Sequence, residues 1–180
     1  QIVRRNNTVY LSARQDRPYH IILTEVVGAR PKPPRTTGLY HIAIRLPDRP
    51  ALARTLKRLM VARWPLQGAA DHKVSEAIYF ADPDGSGIEI YCDRPREEWT
   101  WANGQVAMTT EPLDVAALLD TIHEEEDVPA TIDPGADIGH VHLHVSDLAQ
   151  AETFYGDLLG FDVTLRGYPA IEDRGDSVSL

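Results

Sequence analysis

The chain has 180 residues and a formal net charge of −9, with 43% apolar and 25% charged residues, the balance of a soluble globular protein with room for one sizeable domain or two small ones. The acidic balance argues against nucleic-acid binding, which needs a basic patch, and against an anionic membrane, and no signal peptide or long apolar span is expected from these residues. Cys92 is the only cysteine, so no internal disulfide can form and a reducing, cytoplasmic compartment is expected.

Residues 1 to 29 hold three strand-like runs, QIVRR, TVYLS and HIILTEV. They read as the back end of a unit whose front is missing. Residues 30 to 37, RPKPPRTT, read as an extended linker. Next comes GLYHIAIRLPDRPALARTLKRLM, residues 38 to 60: an alternating strand, then a helix. Asp48 is the cap, Pro50 sits in the first turn, and Leu52, Leu56, Leu59 and Met60 recur at helical spacing. Two further strands are expected over 74 to 80 (VSEAIYF) and 87 to 92 (GIEIYC). Asp82-Pro83-Asp84-Gly85 is the turn between them. The whole reads as a βαβββ unit over 38 to 96.

Residues 97 to 137 connect this unit to the next. They include an expected helix, PLDVAALLDTIHEE, and an acidic stretch. The pattern of residue 38 onward then repeats in diverged form as IGHVHLHVSDLAQAETFYGDLLGF, residues 138 to 161. Ser146 or Asp147 caps its helix, Leu148, Ala151, Tyr155, Leu158 and Leu159 form the stripe, and Gly160 suits the C-terminus. Residues 138 to 180 thus read as the start of a third unit, with FDVTLR (161 to 166) as the counterpart of QIVRR. The chain opens on Gln1 and closes on SVSL, which reads as mid-strand, so a fragment of a longer protein is expected. A repeat of about 100 residues is too long for a solenoid; an α+β fold of duplicated half-barrels is the reading.

Successive strand side chains face opposite ways. Ile42, Ile44 and Leu46 share one face, and His41, Ala43 and Arg45 the other. Ile88 and Ile90 oppose Glu89 and Tyr91; Ile78 and Phe80 oppose Ala77 and Tyr79. Val141, Leu143 and Val145 oppose His140, His142 and His144. Each strand thus has an aliphatic face for a helix and a polar face for a cup. Two imidazoles and a carboxylate on the cup face are the parts of a facial triad for non-haem Fe(II). A lone strand histidine is usually structural, and that is the favoured reading of His142 and His144, with a supporting or substrate-contact role as the alternative. His41 and His140 differ because they hold matching positions in two copies of the repeat.

These segments resemble the vicinal-oxygen-chelate superfamily of glyoxalase I, bleomycin-resistance proteins and extradiol dioxygenases. DPDGSGIEIY and FYGDLLGF carry the broad likeness. DHKVSEAIY and DRPREEW resemble, more narrowly, the catechol 2,3-dioxygenase-like ring-cleaving enzymes. The resemblance implies paired βαβββ modules, each pair forming a curved-sheet cup. It implies a metal held by His41, Glu89 and His140, which requires the second and third units to pair. The second histidine could instead come from the absent first strand of the first unit.

The resemblance further implies acid–base help from Tyr79, ten residues before Glu89, and from His72, whose other reading is an exposed loop histidine. The family's usual acid–base histidine would fall after Leu180; His20 holds the matching place in the first unit and reads as a relic. The implied cofactor is Fe(II), with Mn(II) as its alternative. The implied reactants are a small aromatic diol and O2; a homo-oligomer is also an open expectation. Two other activities stay open: a glyoxalase-like isomerase or lyase using Ni, Zn or Mn, and a metal-free small-molecule binder of the bleomycin-resistance kind.

Overall fold

The computed structural model describes residues 2–15, 19–102, 104–123 and 127–164, with side chains from residue 6 onward. Three short antiparallel strands open the chain: β1 (Ile2–Arg5), β2 (Thr8–Leu11) and β3 (Ile21–Thr24). They match the three expected runs. The linker over 30 to 37 is exposed and holds no helix or strand.

β4 (Gly38–Leu46) leads into α1 (Arg49–Val61). Asp48 caps the helix by accepting the Ala51 N–H at 2.8 Å, and Pro50 falls in the first turn, where its missing N–H costs nothing. β5 (Leu66–Asp71), β6 (Ser75–Ala81) and β7 (Gly87–Asp93) follow. The Asp82 carboxylate accepts the N–H groups of Asp84 and Ser86 and so closes the β6–β7 turn. β7 returns beside β4 in parallel, which the intervening helix and strands make possible.

The long connection to the next unit holds β8 (Trp101–Ala102), β9 (Gln105–Val106), β10 (Glu111–Pro112) and α2 (Val115–Leu119). β11 (Asp137–His144) and α3 (Leu148–Glu152) come last, the helix capped by Asp147. α3 runs on as a wider turn over Thr153–Leu158. The main sheet has the order β10-β5-β6-β7-β4-β11. This is an α+β fold in which the predicted βαβββ order is present, and β11 extends the same sheet by pairing antiparallel to β4.

The sheet's aliphatic face carries the core. Leu46, Ile78, Ile90 and Cys92 pack there with Leu52 and Leu56 of α1 and with Leu118 of α2. Fully burying one such leucine or isoleucine is worth about 1.5–3 kcal/mol, so this face holds the unit together. Burial also pushes the Cys92 thiol up to about 12, leaving it unreactive. Buried Glu76 bonds Arg49 at 2.6 Å and Arg94 at 2.8 Å, and Arg94 also bonds Asp71 at 2.8 Å. A carboxylate this deep needs such cationic partners. The network ties the first turn of α1 to β5, β6 and the end of β7. No helix among the described residues is long and apolar enough to cross a membrane.

Some expectations need correction. Met60 is 51% exposed rather than part of the buried stripe. The helix expected over PLDVAALLDTIHEE shrinks to Val115–Leu119. The Thr121 hydroxyl bonds the Leu118 carbonyl at 2.7 Å and offers the backbone an alternative to a further helical turn. The βαβββ reading required one more strand after the helix, β5, but no segment was assigned to it, because Gly68, Ala69 and Ala70 carry little strand propensity. In FDVTLR, residues 161 to 164 are not a strand, and the rest lies outside the described residues, as does SVSL. Of the apolar stripe expected in the third unit, Leu148, Tyr155, Leu158 and Leu159 stand exposed, and only Ala151 is half-buried.

Candidate metal centre

The cup face of the sheet is lined by small side chains, Ala43 and Ala77, with Tyr79 and Tyr91 beside them. Both alanines are fully buried in that cluster. His41 joins this face from β4, Glu89 from β7 and His140 from β11. Gly87, opposite His41, lets β7 close on β4: a Cβ there would strike the Tyr40 carbonyl oxygen and sit 2.9 Å from the His41 Cβ. The backbone spacing at this point therefore depends on glycine.

The three side chains converge on one point. His41 Nε2 is 2.9 Å from Glu89 Oε2, His140 Nε2 is 3.3 Å from the same oxygen, and the two nitrogens are 3.3 Å apart. Ions bonded at about 2.1 Å to ligands at right angles require ligand spacings of about 3 Å. The triangle fits that face. The chemistry fits as well: two neutral imidazoles cannot both aim a proton at the same spot, whereas two nitrogen lone pairs and a carboxylate suit a shared cation. Among the described residues this is the only group of three or more such donors close enough to hold an ion.

Glu89 is 4% exposed. Burial opposes its charge, but hydrogen bonds and charge from His140 and His41 outweigh that and hold the carboxyl at about 2. It therefore remains a carboxylate at neutral pH. The His140 side chain is 48% exposed, so the site is open to solvent on the β11 side.

Tyr79 lies directly opposite Glu89 in the β6–β7 register, with its ring centroid 5.9 Å from that of His41. Its hydroxyl is 2.8 Å from His72 Nε2, and His72 Nδ1 is 2.8 Å from the Thr109 carbonyl oxygen. A carbonyl only accepts, so Nδ1 carries a proton. In the neutral ring Nε2 must then accept, and the Tyr79 O–H donates to it. His72 is buried, not an exposed loop residue. The part played by Thr109 was not foreseeable, because only the fold brings residue 109 back to residue 72.

His142 lies opposite His41, their rings 4.8 Å apart. Burial pushes the His142 imidazole down, with the charges of His41 and His144 adding to the effect. His144 stacks on Tyr40 at 4.3 Å, further from the three converging donors. Tyr91, on the cup face with Glu89, lies 5.4 Å from His140 between ring centroids, and burial pushes its phenol up to about 12. Sequence alternation placed Tyr91 on this face, but gave it no task. His20 is engaged locally: its Nδ1 accepts the Ala13 N–H at 3.3 Å and lies 3.4 Å from the Ser12 hydroxyl.

No family model matches the chain. It is 48% identical over 145 residues to the catechol-2,3-dioxygenase of Bacillus subtilis (strain 168), an alignment covering 79% of this chain and 50% of that protein. The chain thus spans about half the length of the curated relative it matches. Among solved structures it is similar to a glyoxalase/dioxygenase from Nostoc punctiforme, at 22% identity and a TM-score of 0.43 over 49% of this chain and 62% of the other.

Proposed function

We propose that this chain, a relative of a catechol-2,3-dioxygenase at 48% identity, forms the metal-binding part of an extradiol ring-cleaving dioxygenase of the vicinal-oxygen-chelate superfamily. The observation that carries this reading is the convergence of His41, Glu89 and His140 on one point. These three would hold Fe(II), with Mn(II) as the alternative, on one side only. When bound, such an ion would bring a diol and O2 together and let electron density pass from the diol to O2.

The chain's own groups do the rest. Two neutral imidazoles and one carboxylate would leave a bound divalent ion with a net positive charge, which would favour an ionising diol. Burial of Glu89 keeps that carboxylate directed at the histidines. Tyr79 can take a proton from a substrate hydroxyl at its phenol oxygen while passing its own proton to His72 Nε2. The resulting imidazolium keeps its Nδ1–H on the Thr109 carbonyl, so the ring need not turn.

The test is anaerobic purification with Fe(II), followed by catechol and isotope-labelled O2. Ring cleavage predicts oxygen uptake equal to catechol lost, with both labelled atoms in the opened product. Metal without oxygen uptake favours the isomerase or lyase reading, and a chain that binds catechol but no metal favours the binding module.

A further inference from the structure

The β4–β11 pairing is shifted by one residue over a short stretch. Asp137 lies opposite Arg45 and Ile138 opposite Ile44. Then His140 lies opposite Ala43, Val141 opposite Ile42 and His142 opposite His41. Beyond that, Leu143 lies opposite Leu39 and His144 opposite Gly38. Gly139 on β11 and Tyr40 on β4 are therefore the skipped residues, and the second irregularity cancels the first.

The shift decides which way His140 faces. Opposed residues of an antiparallel pair share a face, and a one-residue slip moves a side chain to the other one. Ile138, opposite Ile44, belongs to the aliphatic face. In regular pairing Gly139 would follow opposite Ala43, and His140 would come opposite Ile42, on the face covered by α1. The extra residue instead sets His140 opposite Ala43, on the cup face with His41 and Glu89. Bulges re-aim side chains in this way.

The bulge has a reason to take glycine. A Cβ on Gly139 would strike the Tyr91 hydroxyl and lie 2.7 and 2.8 Å from two carbons of its ring. Tyr91 is fixed on β7, two residues from Glu89, and is almost fully buried. The phenol thus occupies the volume that any other residue at 139 would need.

We propose that Gly139 and Tyr91 are positioning residues, a glycine bulge seated on a phenol, that turn His140 across the sheet into the site. The proposal rests on the metal reading above. It assigns His140 its place by local backbone geometry as well as by its position in the repeat.

The experiment titrates the chain with Co(II), followed by the metal's visible absorption. Gly139→Ala should weaken Co(II) binding by about 10–100-fold, the usual cost of disturbing a residue that supports a ligand. Adding Tyr91→Ala to that variant opens the space and should recover most of the loss. Adding Tyr91→Phe should not, because the ring carbons remain. Undiminished binding in Gly139→Ala, or no recovery with Tyr91→Ala, overturns the proposal. A wild-type chain that takes up no Co(II) counts against the metal reading instead. The bulge is then read in the metal-free chain from cross-strand proton contacts by NMR. Val141 opposite Ile42 upholds it, and Val141 opposite His41 overturns it.

Discussion

Glu89→Ala should strip the proposed metal from the chain while the fold stands. Glu89 is the one negative group among the three converging donors, and its oxygen lies 2.9 and 3.3 Å from the two histidine nitrogens. Losing a group that merely supports a ligand costs about 10–100-fold in affinity; losing the carboxylate itself should cost more. Its Cβ points into the cup, away from the Leu46, Ile78 and Ile90 core, so that packing survives. Metal content after dialysis and circular dichroism of the same sample check both halves. Unchanged occupancy removes Glu89 from the ligand set.

Tyr79→Phe should keep the metal and slow turnover by about 10²–10⁴-fold, the usual contribution of a positioned proton-transfer group. Only the hydroxyl is lost, and with it the path from substrate to His72 Nε2. A purely structural tyrosine behaves differently: deleting its hydrogen bond costs roughly 1 kcal/mol of stability and leaves the rate near normal. Single-turnover cleavage and thermal unfolding of one preparation separate the two. A full rate in Tyr79→Phe leaves only the structural role.

Alternation in β4, β6 and β7 foretold the two-faced sheet, because a strand with one buried face must repeat every second residue, whereas Val141 of β11 and Val145 just after it stand exposed. His41, Glu89 and Tyr79 are legible for that reason: each breaks an otherwise apolar or small run on the cup side. The cap at Asp48 and the turn at Asp82 are equally local and equally readable. What could not be read depends on distant partners. Nothing near Gly139 announces a bulge, since the phenol that requires it is on another strand. The Thr109 carbonyl that sets the tautomer of His72 is likewise 37 residues away. β5 was hidden because Gly68, Ala69 and Ala70 owe their strand state to pairing with β6 rather than to propensity. The helix expected through residue 125 overran its true end, because an apolar stripe says nothing of the threonine side chain that competes for its carbonyl.

His41, Glu89 and His140 are proposed to hold one metal ion. The most direct measurement is an anomalous difference map from crystals of the chain grown anaerobically with Fe(II). The account predicts a single strong peak at about 2 Å from His41 Nε2, His140 Nε2 and a Glu89 oxygen. A peak bonded to other residues, or one that His140 does not reach, would contradict it.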